Sequence, residues 1–280
     1  MTAKFGRCVA LGFLVFAAQA AESQPDSLIA PPTYADLADL AIEAPIAAHV
    51  RIARAERLRE AEAPNAPAGH RRFLVDADIV ALIRGPGGLP ARIRYLVDLP
   101  DDSRGRSADL RRRSEWLVLA SRSPIRPTEL RLTAPDAQIA YTPEAAERLR
   151  AILREASAAN AAPRITGIGR AFHVPGSLPG ESETQFFLQT QNGRPISISV
   201  LRRPNEPARW GVSLTEVIDE AAPSPARDTL VWYRLACSLP AQLPRASLSE
   251  AGADEARAIE SDYRFVMENL GRCARNRPRR

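Results

Sequence analysis

Along most of this chain, apolar residues recur at every second position, the period of strands that bury one face. The longest run is Phe73 to Ile83, with Phe73, Val75, Ala77, Ile79, Ala81 and Ile83 on one face and Asp76 and Asp78 on the other. Gly85-Pro86-Gly87-Gly88 breaks it, and Ile93, Tyr95 and Val97 resume the alternation on a returning strand. Ala48 to Glu56 reads as an earlier strand, and Trp116 to Ala120 and Glu129 to Thr133 as two short later ones. Helical spacing flanks this block on both sides. Thr33-Tyr34-Ala35-Asp36 caps a helix that carries Leu37, Leu40 and Ala41 and stops near Pro45, although a capping box prefers Glu or Gln where Asp36 stands. Thr142-Pro143-Glu144 starts a second helix, with Leu149, Ile152 and Leu153 on one face.

The pattern restarts after Ala158 to Pro163, a small-residue stretch that reads as a linker. Ile165 to Val174 is a strand that Gly167 and Gly169 weaken or bulge. The clearest tertiary signal follows: a turn-rich loop Pro175–Glu183, an apolar strand, an Asn192-Gly193 turn and a return strand. Phe186, Leu188, Thr190, Ile196, Ile198 and Val200 face one way; Gln185, Gln189, Ser197 and Ser199 face the other. Trp210 to Val217 offers a third strand. Asp228 is placed to cap a helix running to Cys237, and a last helix, about Asp254 to Leu270, aligns Ile259, Tyr263, Val266 and Leu270. The expected class is α+β and β-rich: two small antiparallel β units with flanking helices and a C-terminal helical pair. The first unit, residues 33–157, is spaced like an OB-like barrel or curled sheet. The second spans residues 164–273 across the 158–163 linker, and residues 274–280 read as a basic, disordered tail.

The N-terminus adds a compartment. Lys4 and Arg7 precede an apolar core, Cys8 to Phe16, and Ala18-Gln19-Ala20 forms a cleavage site, so residues 1–20 read as a secretory signal peptide and 21–32 as a lead-in. From Cys8 to Ala20 is 13 residues, against the roughly 20 that span a bilayer. The expected product is a soluble periplasmic or extracellular protein without a transmembrane segment. Cleavage leaves two cysteines, Cys237 and Cys273, which in an oxidising compartment read as one disulfide.

Charge then narrows the partner. The chain has 38 Lys and Arg against 33 Asp and Glu, and a pI of about 9.5. Residues 1–20 hold two of the cations, and the last nine residues hold five more: Arg272, Arg275, Arg277, Arg279 and Arg280. The remaining body has 31 cations against 33 anions. Basicity therefore belongs to the tail, which suits contact with an anionic surface, and no nucleic-acid partner is expected. The arginines 104, 106 and 111–113 are interleaved with Asp101, Asp102, Asp109 and Glu115, which cancel most of their field.

Candidate chemistry is sparse. His49, His70 and His173 are too dispersed for a local metal motif, and neither a metal nor a cofactor is expected. Asp98, Asp101 and Asp102 with Gly105 carry oxygen ligands for calcium but miss the EF-hand spacing. In Gly176-Ser177-Leu178-Pro179-Gly180 the serine directly follows the first glycine, unlike the G-x-S-x-G nucleophile elbow. Phe172-His173, Val174-Pro175-Gly176 and Thr184-Gln185-Phe186-Phe187-Leu188 resemble fragments of the cyclophilin family of prolyl isomerases. That resemblance implies matching roles for Phe172, His173 and Phe186 or Phe187, but Val174 stands where the family has its catalytic arginine. Over its whole length the chain is similar to a family of exported alphaproteobacterial proteins with no assigned activity, through His173–Thr190 and Leu230–Pro240.

The expected function is binding without turnover, to an envelope protein or ligand, through Pro175, Ser177, Glu181, Glu183 and Gln185. The alternative is an envelope enzyme, either a cyclophilin-like prolyl isomerase or a hydrolase, using His173 and Ser177. A third reading makes the hairpin an ordinary core element and the loop a mere connection.

Overall fold

The alternating segments of the first half curl into a closed five-stranded barrel. A computed structural model describes residues 31–101, 110–215 and 222–277. The barrel strands are β1 (Ile46–Arg57), β2 (His70–Arg84), β3 (Arg92–Pro100), β4 (Glu115–Arg122) and β5 (Glu129–Leu132). β1 pairs antiparallel with both β2 and β4, β3 runs antiparallel to β2 and parallel to β5, and β5 returns to β4. The circuit β1-β2-β3-β5-β4-β1 is the strand order of an OB-type barrel. Val75, Ala77, Ile93, Tyr95 and Val97 are all buried. The buried Tyr95 hydroxyl donates to Gln138 Oε1 at 2.5 Å, and its burial pushes the phenol pKa upward. Gln138 lies on β6 (Gln138–Ala140), a short strand on the edge of β4 that the sequence did not announce.

The outer face of β2 and β3 is a ladder of cross-strand pairs: Arg72 opposite Asp98, Leu74 opposite Leu96, Asp76 opposite Arg94 and Asp78 opposite Arg92. Each Arg–Asp pair is joined, at 2.7–2.8 Å. Arg94 holds the Asp76 carboxyl below the usual range, and Arg92 does the same for Asp78. The acids considered for calcium are spent in this way: Asp98 on Arg72 and Asp101 on Arg71. Asp102, Gly105, Arg104 and Arg106 lie outside the described residues.

Helix α1 (Tyr34–Ile42) opens with the capping box complete, Asp36 serving where Glu is usual. Helix α2 (Pro143–Ser157) is capped by Thr142 and buries Ala146, Leu149, Ile152 and Leu153. The stretch read as a linker is tied down. Ala161 N–H donates to Ala158 O, Ala162 is buried, and Arg194 donates to Ala159 O and Ala161 O. Barrel and second sheet share one continuous apolar core, inside a compact unit that begins at Pro31.

The second sheet is antiparallel, ordered β10-β9-β8-β7, from β7 (Ile165–Pro175), β8 (Ser182–Thr190), β9 (Ile196–Arg202) and β10 (Arg209–Ser213). Its register slips beside Gly167 and Gly169, as the glycines foretold. β10 ends at Ser213, before the predicted Val217, which lies outside the described residues with its neighbours 216–221. Gly211 permits Ala222 to lie close against β10: a Cβ there would meet Ala222 O at 1.9 Å. Gly211→Ala should therefore destabilise by about 2 kcal/mol, as overpacking does, and an unchanged urea midpoint would remove this reading of the contact.

Two helices close the fold. Helix α4 (Ala253–Leu270) lays Ile259, Tyr263 and Val266 into the core, with the Tyr263 ring 5.6 Å from that of Phe186. Helix α3 (Leu230–Ala236) is capped by Thr229, whose side chain accepts from Trp232 N–H. The expected cap, Asp228, instead sits at φ +58° in the turn before it. The reason is geometric: a cap residue needs extended backbone, which Thr229 has and Asp228 lacks. Cys237 and Cys273 form a disulfide, and among the described residues no helix is long and apolar enough to cross a membrane.

Of the segment read as a disordered tail, residues 274–277 are anchored, and residues 278–280 lie outside the described residues. Arg275 binds Asp39 at 2.6 Å, and the Asn276 and Arg277 amides donate to the two oxygens of Asp36. Arg277 also pairs with Asp136 at 2.8 Å. Thr33 Oγ1 donates to Ala274 O, and Asn276 Nδ2 to Pro31 O. The basic residues here answer an acidic patch on α1 and at Asp136, remote in sequence.

Candidate functional site

The β7–β8 hairpin carries the predicted site, and its ladder runs farther than the sequence suggested. Phe172 pairs with Gln185, His173 with Thr184, Val174 with Glu183 and Pro175 with Ser182, so only residues 176–181 form the loop. That loop satisfies itself. Gly176 N–H donates to Glu181 O at 2.8 Å, and the Ser177 and Leu178 amides donate to Glu181 Oε2 at 3.1 and 3.3 Å. Gly180 turns the chain at φ +87°, a conformation that favours glycine. Beside it, Gln185 Nε2 donates to Glu183 Oε1 at 2.5 Å.

The five residues expected to bind therefore divide. Glu181 locks the loop from within, Glu183 and Gln185 engage each other, and Pro175 and Ser177 remain on the exposed tip. Apolar groups face outward instead: Val174 is 62% exposed and Leu178 59%. The free edge of β7 is blunted at the same place. Pro175 has no N–H to offer, and Glu255 Oε1 accepts the His173 amide at 3.3 Å.

Behind the tip lies a polar chain that the residue pattern alone does not reveal. His173 Nδ1 is 2.8 Å from Thr184 Oγ1, which donates to Asp262 Oδ2 at 2.5 Å. Arg202 completes it, placing Nε and a terminal nitrogen 2.8 and 2.5 Å from Asp262 Oδ1. Thr184 and Asp262 are buried, at 0% and 1% exposure. The strands and helix dictate the meeting: β7, β8 and β9 supply His173, Thr184 and Arg202, and α4 lays Asp262 across them. One signal was available. Asp262 falls on the same helical stripe as Ile259, Tyr263 and Val266, and an acid on a buried stripe needs a partner.

The remaining histidines sit elsewhere. His49 is buried, stacks on Tyr141 at 3.7 Å and meets Glu115 through Nε2 at 2.9 Å. Arg51, and to a lesser extent His49, hold the Glu115 carboxyl below its ordinary value against the cost of desolvation. His70 Nδ1 meets Ala68 O at 3.1 Å. Among the described residues no three metal-ligating side chains gather, and no hydrogen bond joins Ser177 to His173.

A second concavity, a cleft of about 840 Å³, lies on the outer barrel wall against β2, β3 and β5. Leu74 and Leu96 line it between the paired arginines of the ladder. Its mouth is charged, yet Arg72, Arg94 and Arg126 are each joined to an acid. No protein-family model matches this chain, and no curated protein matches it in sequence.

Proposed function

We propose that this is an exported binding protein that acts without turnover and meets an envelope partner through the end of the β7–β8 hairpin. One observation carries the reading: the loop uses its own carboxylate and amides to become rigid while Val174 and Leu178 stay exposed. A connecting loop has no need of that arrangement. A recognition loop gains from it, because side chains ordered beforehand lose less entropy on binding. The disulfide suits an oxidising compartment. The neutralised arginines of the barrel ladder support a partner other than nucleic acid, since phosphate recognition draws on unpaired cations.

The test is a pull-down from envelope extract with the mature protein and with Val174→Ser/Leu178→Ser. Both side chains are exposed, so the variant should fold normally and lose its specific partners. Identical partner profiles would count decisively against the surface. The enzyme reading has one observation in its favour, the buried chain behind His173. A prolyl-isomerase rate abolished by His173→Ala would establish it and displace the binding reading.

A further inference from the structure

The hydrogen-bond chain behind His173 decides where the imidazole carries its proton. Thr184 has one hydroxyl hydrogen and two close neighbours, His173 Nδ1 at 2.8 Å and Asp262 Oδ2 at 2.5 Å. Asp262 accepts two N–H groups from Arg202 on its other oxygen, a bonded ion pair at 2.5 Å. A charged carboxylate only accepts. The Thr184 hydrogen therefore goes to Asp262, and the Thr184 oxygen accepts from His173 Nδ1–H. In the neutral imidazole Nε2 is therefore the bare lone pair. It has no partner among the described residues and does not figure among their buried unsatisfied atoms, so it reaches solvent. Glu255, whose carboxylate meets the His173 amide, has no cation paired with it among the described residues.

From this geometry we infer that His173 Nε2 is a hydrogen-bond acceptor presented to a cationic N–H donor, a guanidinium or ammonium group, on the polypeptide that docks at the hairpin end. Thr184, Asp262 and Arg202 are positioning residues that set the tautomer and aim the ring. A lone pair on a residue whose backbone amide already meets a carboxylate without a paired cation attracts such a donor and repels a carboxylate or carbonyl oxygen. The identity of the donor rests on the proposed docking surface; the tautomer does not.

Two measurements on the folded, oxidised protein test it. In long-range proton–nitrogen NMR spectra, His173 should show a protonated Nδ1 and an unprotonated Nε2. Thr184→Val should reverse or mix that pattern, and Thr184→Ser, which keeps the hydroxyl, should restore it. The second measurement titrates acetyl-arginine amide and, in parallel, acetyl-glutamate amide, following the Nε2 shift. The arginine compound should move it saturably, with affinity at least about tenfold weaker in Thr184→Val, and the glutamate compound should leave it in place. A proton on Nε2 in the wild type would overturn the whole inference, whatever the pull-down shows. Equal responses to the two amides would overturn the donor assignment. If the tautomer and the arginine response hold while Val174→Ser/Leu178→Ser keeps every partner, the docking surface fails and the acceptor stands.

Discussion

Asp262→Ala is expected to cost the fold about 3 kcal/mol, near the lower end of the range for breaking a buried charge pair. The carboxylate is itself buried, and two groups depend on it: the Thr184 hydroxyl, wholly buried, and the Arg202 guanidinium, which stacks near the Phe265 ring. Arg202 is 39% exposed along its side chain and can turn to water, which keeps the loss from being larger. Thr184 cannot. Its hydroxyl keeps one neighbour, His173 Nδ1 at 2.8 Å, so adding Thr184→Val to Asp262→Ala should cost about a further 1 kcal/mol as that bond is lost too. Urea unfolding would show both effects as shifts in midpoint at constant slope. A single variant within about 0.5 kcal/mol of wild type would mean that the chain of bonds contributes little to stability.

The second large effect concerns the disulfide. Cys237→Ser/Cys273→Ser should lower stability by about 4 kcal/mol, the chain-entropy value for a loop of this length; the two cysteines lie 36 residues apart. The loss should also be local. Cys273 immediately precedes the segment that binds α1, so hydrogen exchange at the Asn276 and Arg277 amides, which donate to Asp36, should accelerate before the barrel amides do. Unchanged protection at those two amides would show that the ion pairs to Asp39 and Asp136 hold the segment unaided.

How much of this was written in the pattern of residues depends on the range of each interaction. The barrel strands were legible because alternation is local: Phe73 to Ile83 and Ile93 to Val97 declare their inward faces without reference to anything else. β6 was not, since three residues carry too little alternation to stand out. The parallel pairing of β3 with β5 was also hidden, because it is set by barrel closure and not by a turn. The last residues looked solvated for the same reason. Arg275 and Arg277 find Asp39 and Asp136 across 236 and 141 positions, and nothing near them in sequence announces it.

The hairpin shows the same division within one site. Its strands, its turn and His173 at its base could all be read directly. The roles of Glu181 and Glu183 could not, because an acid in a loop looks the same whether it meets a partner or its own backbone. Thr184 read as one more polar strand residue; only α4, arriving from 78 positions away, makes it a relay.

Asp36 has one more consequence. It closes the capping box with the Thr33 amide and also receives the Asn276 and Arg277 amides, while Thr33 and Pro31 take hold of Ala274 and Asn276. The first and last described turns of the fold thus share a single carboxylate. In topological terms the described part of the polypeptide, residues 31–277, is nearly a ring, fastened at Asp36. Joining Pro31 to Arg277 through a few residues and opening the ring at an exposed turn would keep almost every contact, so the order in which the chain is synthesised is not the order on which the native state depends.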